Sequence, residues 1–156
     1  MIMRRATPQD ATEMADLLNQ IIAIGGTTAY QHPMTPQEIA LHNIIGTDVL
    51  SSIVAVQDGR INGWQSVEQW QSEAYIGTFV RVGIQAKGIG TALFAQTCEM
   101  LRQAGVPSVN ALIRADNVSG LQYYARLGFV DFAVDTDFAL ETGHIVGRVH
   151  RKYHVV

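Results

Sequence analysis

The chain reads as an α/β protein built on one mixed sheet, antiparallel at first and with a parallel pair in the middle. Period-2 runs broken by the turn pairs Asp58-Gly59 and Gln71-Ser72 predict consecutive hairpins. An apolar strand ending at Val82 then gives way to glycines and a helical stretch before the next strand starts at Ser108. Such a connection is a helical crossover, which joins parallel strands.

The elements follow in order after a short opening strand. Helix one carries Met14, Leu17, Leu18, Ile21 and Ile22 on a single stripe. It starts at Thr7-Pro8-Gln9-Asp10, and the second helix starts at Thr35-Pro36-Gln37-Glu38; both resemble capping boxes with proline at the first helical position. Gly46 is expected to close the second helix. Strands are predicted over 52–57, 61–69 and 73–82, and a helix over 88–103. Then come a strand over Ser108–Arg114, a short helix from Asn117 closed by Gly128, and strands over 132–140 and 145–154. The order is β-α-α-β-β-β-α-β-α-β-β.

Length and composition fit one domain spanning 1–156. The chain has 156 residues, 47% of them hydrophobic and 16% charged, with a formal net charge of −3. That balance speaks against nucleic acid as the main partner. Arg4 and Arg5 are followed by no apolar leader, and no run approaches membrane-spanning length, so a cytoplasmic protein with no membrane partner is expected. Cys98 is the only cysteine, falls inside the crossover helix and is expected to be buried. His150 and His154 share one side of the last strand but stand over ~13 Å apart, too far to hold a metal together. With Arg148, Arg151 and Lys152 they are expected to form a solvated basic edge. No metal is expected.

The run Val80-Arg81-Val82-Gly83-Ile84-Gln85-Ala86-Lys87-Gly88-Ile89-Gly90-Thr91 has the shape of a pyrophosphate site. Bare backbone at Gly88 and Gly90 would admit phosphate oxygens at a helix N-terminus. A nucleotide-binding P-loop would need Lys where Ile89 stands, and the dinucleotide fingerprint would need Gly or Ala where Leu93 stands. A plain strand-to-helix turn is the other reading of the segment. A second segment, Asn117 to Phe129, follows the Ser108 strand.

Together the two segments resemble the acetyl-CoA signature of the GNAT N-acetyltransferase superfamily. The first supplies Gln-x-x-Gly-x-Gly as Gln85, Gly88 and Gly90 behind Val80-Arg81-Val82. The second supplies Asn117, Tyr124, Gly128 and Phe129 at the family's spacing. Gly120 departs from the usual Ala or Ser, which is expected to weaken the helix rather than the chemistry. The resemblance implies a sheet splayed between its fourth and fifth strands, with acetyl-CoA as cosubstrate in the gap. Val80 and Val82 would make main-chain contacts, and an N–H near Val80 would stabilise the developing oxyanion. Gln85, Lys87, Gly88, Ile89, Gly90 and Thr91 would cradle the pyrophosphate.

Asn117 would bond the pantetheine or cap its own helix. Tyr124 would protonate the departing thiolate, a phenol near ~10 facing a thiol near ~8.5. Tyr123 lies about 100° away round the helix and is expected to be partly buried under the sheet. The general base is open. Glu73 and Glu68 are the nearest carboxylates by sequence, though solvated turn positions explain both. Thr78 is placed to orient the amine through water.

In this family the loop between helices one and two helps choose the acceptor, so Thr28 and Tyr30 are candidate substrate contacts. Thr28-Ala29-Tyr30 followed by Thr35-Pro36-Gln37-Glu38 also resembles the phosphinothricin-type amino-acid acetyltransferases, whereas Gly63-Trp64-Gln65-Ser66-Val67 departs from that branch. The expected activity is acetyl transfer to a primary amine of a small molecule, an amino acid or its analogue, by direct attack. A non-catalytic CoA-binding module and an enzyme acting on a protein N-terminus or lysine are the alternatives. Terminal strands pair in some family dimers, so a homodimer is expected.

Overall fold

The structure, a computed structural model, describes residues 1–84 and 88–156. Gln85 and Lys87 lie outside the described residues. In chain order come β1 (Ile2–Arg5), α1 (Ala11–Ile24), α2 (Pro36–Ile39, continued by a π turn over Ala40–Ile44), β2 (Val49–Gln57), β3 (Arg60–Trp70) and β4 (Glu73–Val80). They are followed by α3 (Ile89–Gln103), β5 (Ser108–Arg114), α4 (Val118–Leu127), β6 (Val130–Asp135) and β7 (Arg148–His154). The strands form one sheet in the order β1-β2-β3-β4-β5-β7-β6, antiparallel throughout except where β4 meets β5. The mixed α/β architecture and its element order agree with the sequence expectation.

Local chemistry explains the elements. The Thr7 N–H donates to Asp10 Oδ2 at 2.8 Å, but this box opens a 3₁₀ turn, Pro8–Asp10, that α1 then continues. At α2 the reciprocal box is complete, with Glu38 N–H donating to Thr35 Oγ1 and Thr35 N–H to Glu38 Oε1, each at 3.1 Å. Gly46 does not close α2 by a positive φ. A Cβ there would stand 1.8 Å from the Leu41 carbonyl oxygen, so glycine permits a close approach of backbone. The second hairpin turn is made with positive φ at Gln71 and Ser72, 49° and 66°, without a glycine.

The sheet separates two apolar layers. On one face Met14, Leu17 and Leu18 of α1 pack with Val54, Ile61 and Trp64. On the other, α3 and α4 bring Phe94, Leu101 and Tyr124 against Val109, Ala111 and Ile113 of β5. Cys98 is buried in this second layer, which raises its thiol pKa through desolvation.

The C-terminal end differs from the sequence expectation. β6 stops at Asp135 and β7 starts at Arg148; between them only Ala139 and Ile145 bridge. Gly143 and Gly147, with φ of 88° and 72°, turn the chain there. The expected basic edge does not exist, because β7 lies between β5 and β6. Its cations are paired instead: Arg148 with Asp135, Arg151 with Asp131 and Lys152 with Glu73.

The feature that positions a site is the β4–β5 junction. Their register holds a single pair, Tyr75 with Asn110. Beyond it the strands part, leaving the edge of β4 from Ile76 onward without a paired strand on that side among the described residues.

Candidate active site

A cavity of about 850 Å³ fills the opening between the parted strands. Its walls come from both faces of the sheet, so a ligand on the helix α3 and α4 side can meet one on the α1 side through the gap.

At one end stands the N-terminus of α3. Gly88, its N-cap, is left-handed with φ 83°, and the first helical bond is Ala92 N–H to Gly88 O at 2.9 Å. The N–H groups of Ile89, Gly90 and Thr91 therefore precede the helical ladder. Gly88, Gly90 and Thr91 line the cavity. The Ile89 side chain does not: it is 2% exposed and packs with Ile53, Ala55 and Leu93, so only its backbone can serve a ligand. Gly90 departs from its expected reason. A Cβ there would lie 2.5 Å from Tyr123 Cε1, so the room left by glycine is taken by a tyrosine ring, not held for phosphate. Arg126, one turn beyond Tyr123 on α4, adds a cation to the same lining. Free helical donors and a cation in one lining suit an anionic group such as a pyrophosphate.

A polar network occupies the middle. Tyr123 Oη donates to the Gly90 carbonyl at 2.8 Å, and since a carbonyl only accepts, the same oxygen accepts from Gln65 Nε2 at 3.1 Å. This orients the buried Gln65 amide, whose Oε1 accepts from Thr97 Oγ1. The Nε2 group also donates to Thr78 Oγ1 at 2.9 Å, and Thr78 Oγ1 lies 2.9 Å from Tyr124 Oη. With Gln65 donating to it, Thr78 can give its proton to Tyr124, which leaves the Tyr124 O–H for the cavity. Burial raises the Tyr124 pKa, and the Thr78 bond offsets part of that. The Tyr123 phenol is pushed up to about 12, chiefly by desolvation. Tyr123 is half-buried as expected, but it does not point away from the site: the two rings are 4.9 Å apart and both line the cavity.

Asn117 caps α4, accepting from Gly120 N–H at 3.0 Å, while its Nδ2 donates to Thr27 O at 3.1 Å. A Cβ on Gly120 would stand 2.4 Å from that Nδ2, so Gly120 maintains the Asn117 pose as well as loosening the helix. Arg114 fixes the same loop by donating to Thr28 O at 2.9 Å. The loop between α1 and α2 is thereby held over the cavity, with Thr28 and Tyr30 in its lining.

Val80 and Val82 line the cavity. The expected carboxylates separate. Glu73 lies outside the cavity at the far end of β4, ~23 Å of strand from Val80, and is paired with Lys152 Nζ at 3.2 Å. Its assignment as a catalytic group is therefore corrected. Glu68 does line the cavity, facing the α1 side with Tyr75 opposite it in register. His42 Nδ1 stands 3.5 Å from it and forms an ion pair with it only when protonated. Sequence reasoning missed Gln65, Arg126, Arg114, Arg148 and Phe138. Strand alternation from Trp64 could have placed Gln65 on the Thr78 face; the others depend on the sheet's long-range pairing.

A cavity at a splayed parallel pair, with a helix N-terminus at one end and a buried tyrosine within, has room for an extended anionic ligand that reaches both faces of the sheet. The sequence matches the acetyltransferase (GNAT) family over residues 15–129, and the protein belongs to that family. It is similar to a mycothiol acetyltransferase of Clavibacter michiganensis subsp. michiganensis, 36% identical over 87 residues. That match covers 52% of this chain and 27% of the relative, so the chain spans well under half of the curated protein. A putative phosphinothricin acetyltransferase, YwnH of Bacillus subtilis, is 22% identical over 86% of each chain. Among solved structures, a GNAT superfamily phosphinothricin acetyltransferase from Sinorhizobium meliloti in complex with AcCoA superposes with a TM-score of 0.84 at 17% identity. That superposition covers 98% of this chain and 87% of the other.

Proposed function

We propose that the protein is an acetyl-CoA-dependent N-acetyltransferase that acts on a primary amine of a small molecule by direct attack within a ternary complex. The observation that carries this is the gap beyond the Tyr75–Asn110 pair, which places Tyr124 Oη, the free edge of β4 and the α3 N-terminus in one cavity open to both faces of the sheet. The acetyl-CoA-bound relative supports the identity of the cosubstrate.

Bound there, acetyl-CoA would supply an activated acyl thioester. The α3 N–H groups of Ile89, Gly90 and Thr91, with Arg126, hold the anionic end, and Gln85 and Lys87 belong to the same proposed cradle. Val80 and Val82 offer backbone groups along the gap, and an N–H near Val80 stabilises the developing negative oxygen, an effect worth ~3 kcal/mol. Asn117 keeps the mouth of the gap in shape. Tyr124 Oη gives its proton to the departing sulfur, and Thr78 fixes the direction of that proton. On the opposite face Glu68 takes the proton that the amine must lose, a role Glu73 is too remote to fill. Thr28 and Tyr30 close over the acceptor.

The proposal includes a cytoplasmic location and a homodimer, the latter checked by analytical ultracentrifugation. The activity is tested by following thiol release from acetyl-CoA with a panel of small amines beside lysine-bearing and N-terminal peptides. Release with small amines is expected. Tight acetyl-CoA binding without release would favour a CoA-binding module, and release with peptides alone would favour a protein acetyltransferase.

A further inference from the structure

The acceptor side of the cavity has a composition that bears on the substrate. On the α1-facing side of β4 the alternation runs Tyr75, Gly77, Phe79, all three in the cavity lining, and the Phe79 ring leans over Gly77, where a Cβ would stand 3.3 Å from its Cε2. Gly77 pairs with Ser66, which accepts from Asn43 Nδ2 at 2.9 Å. Ile21, Ile24, Tyr30 and Leu112 complete an apolar surround, and Glu68 is the carboxylate in the lining among the described residues.

Two arginines, Arg114 and Arg148, reach the cavity from the β5 and β7 side. Each is already engaged. Arg114 gives Nε and Nη2 to Asp116 at 2.9 and 2.7 Å, and its Nη1 goes to the Thr28 carbonyl. Arg148 gives Nη2 to Asp135 at 3.0 Å, and its guanidinium lies 4.3 Å from the centre of the Phe138 ring. Its Nε has no hydrogen-bond partner but is sealed from solvent, so it is out of a substrate's reach. Asp135 also holds His150 Nε2 at 2.9 Å. The positive charge on this side is thus matched before a substrate arrives, whereas Glu68 on the α1-facing side has as its neighbour, among the described residues, only His42, 3.5 Å away, an ion pair only when that imidazole is protonated. Burying a carboxylate against matched cations leaves it without a compensating partner, whereas a cationic amine meets an acid.

We propose that the acceptor is a monoamine: a primary amine carried on an apolar or aromatic body that bears no carboxylate. Its nitrogen sits by Glu68 and Ser66, and its carbon body lies against the Tyr75 and Phe79 rings in the cavity lining. This rests on the N-acetyltransferase reading above and narrows it away from amino acids.

The test compares phenethylamine with phenylalanine and isoamylamine with leucine, pairs that differ only in the carboxylate, by kcat/KM in the wild type and in Asp135→Asn. The amines are expected to exceed their amino acids by roughly 100-fold. Asp135→Asn frees Arg148 and is expected to narrow that ratio by raising amino-acid use, with acetyl-CoA affinity unchanged. Amino acids used as well as the amines would overturn the monoamine proposal and leave the N-acetyltransferase reading standing. A ratio unmoved by Asp135→Asn would overturn the charge argument behind it. Acetyl-CoA binding with no turnover of either class would overturn both.

Discussion

Thr78 Oγ1 lies 2.9 Å from Tyr124 Oη, joining the strand that borders the gap to the helix that carries the proposed acid. Burial makes this phenol hold its proton more tightly, and the Thr78 bond works in the opposite sense. Removing the phenol hydroxyl and removing its partner should therefore have different consequences. Tyr124→Phe is expected to lower kcat roughly 100-fold, with the Kd for acetyl-CoA nearly unchanged. Thr78→Val leaves the acid in place but undirected and raises its pKa further, so a loss of about 10-fold is expected. Thr78→Ser, which keeps the hydroxyl, should stay near wild type. Steady-state kinetics and calorimetric titration of acetyl-CoA measure these quantities, and unaltered turnover in Tyr124→Phe would remove Tyr124 from the role.

The pH dependence follows from the same two tyrosines. Both have raised pKa values in the folded protein, Tyr123 at about 12. The protonated phenol is the working form, so kcat should show no basic limb from Tyr124 below pH ~10. For stability the sign is also set: groups that ionise more readily when unfolded contribute stability fully below their unfolded pKa near ~10, and lose it as pH rises through the folded values. Denaturant midpoints of the wild type should fall more steeply above pH ~10 than those of a Tyr123→Phe/Tyr124→Phe double variant.

Gly90 separates two explanations of one glycine. If its bareness serves the Tyr123 ring, Gly90→Ala should destabilise the protein by about 1–3 kcal/mol through overpacking. Adding Tyr123→Leu should return most of that loss. Thermal unfolding of the single and double variants measures it. A Gly90→Ala protein of unchanged stability would contradict the ring contact.

The turn between β3 and β4 holds Gln71 and Ser72 in left-handed backbone that side chains disfavour. Replacing the pair by Asn-Gly, the usual choice for such a hairpin, should raise stability by about 1 kcal/mol without affecting activity. Chemical denaturation is the check, and a loss of stability would mean that the two side chains stabilise the hairpin by more than the backbone strain costs.

Much of the fold was legible because its signals are local. The α1 stripe, the Thr35 box and the hairpin turns state their structure within a few residues, and the segments at Gly88 and Asn117 sit where a helix must begin beside the gap. Tyr124 could be singled out because it stands at the family's spacing from Asn117, whereas its contact with Thr78, a residue expected to orient the amine through water, depends on how α4 packs against β4. What failed depends on distance in space. Glu73 looked as near to the site as Glu68, but β4 carries it to the wrong end. Gly90 gave no sign that a ring from α4 would claim its space. The place of β7 between β5 and β6 set the pairing of every terminal cation, and nothing in the local sequence announces that order.

The most direct test of the account follows the acetyl group itself. Acetyl-CoA labelled with ¹³C in its acetyl carbonyl, mixed with the protein and phenethylamine, can be followed by NMR alongside mass spectrometry of the protein. The account predicts that an amide carbonyl signal grows in step with the loss of thioester, with no acetylated protein formed and with the rate collapsing in Tyr124→Phe. Thioester that persists beside bound protein, or an acetyl group that appears first on the protein, would contradict it.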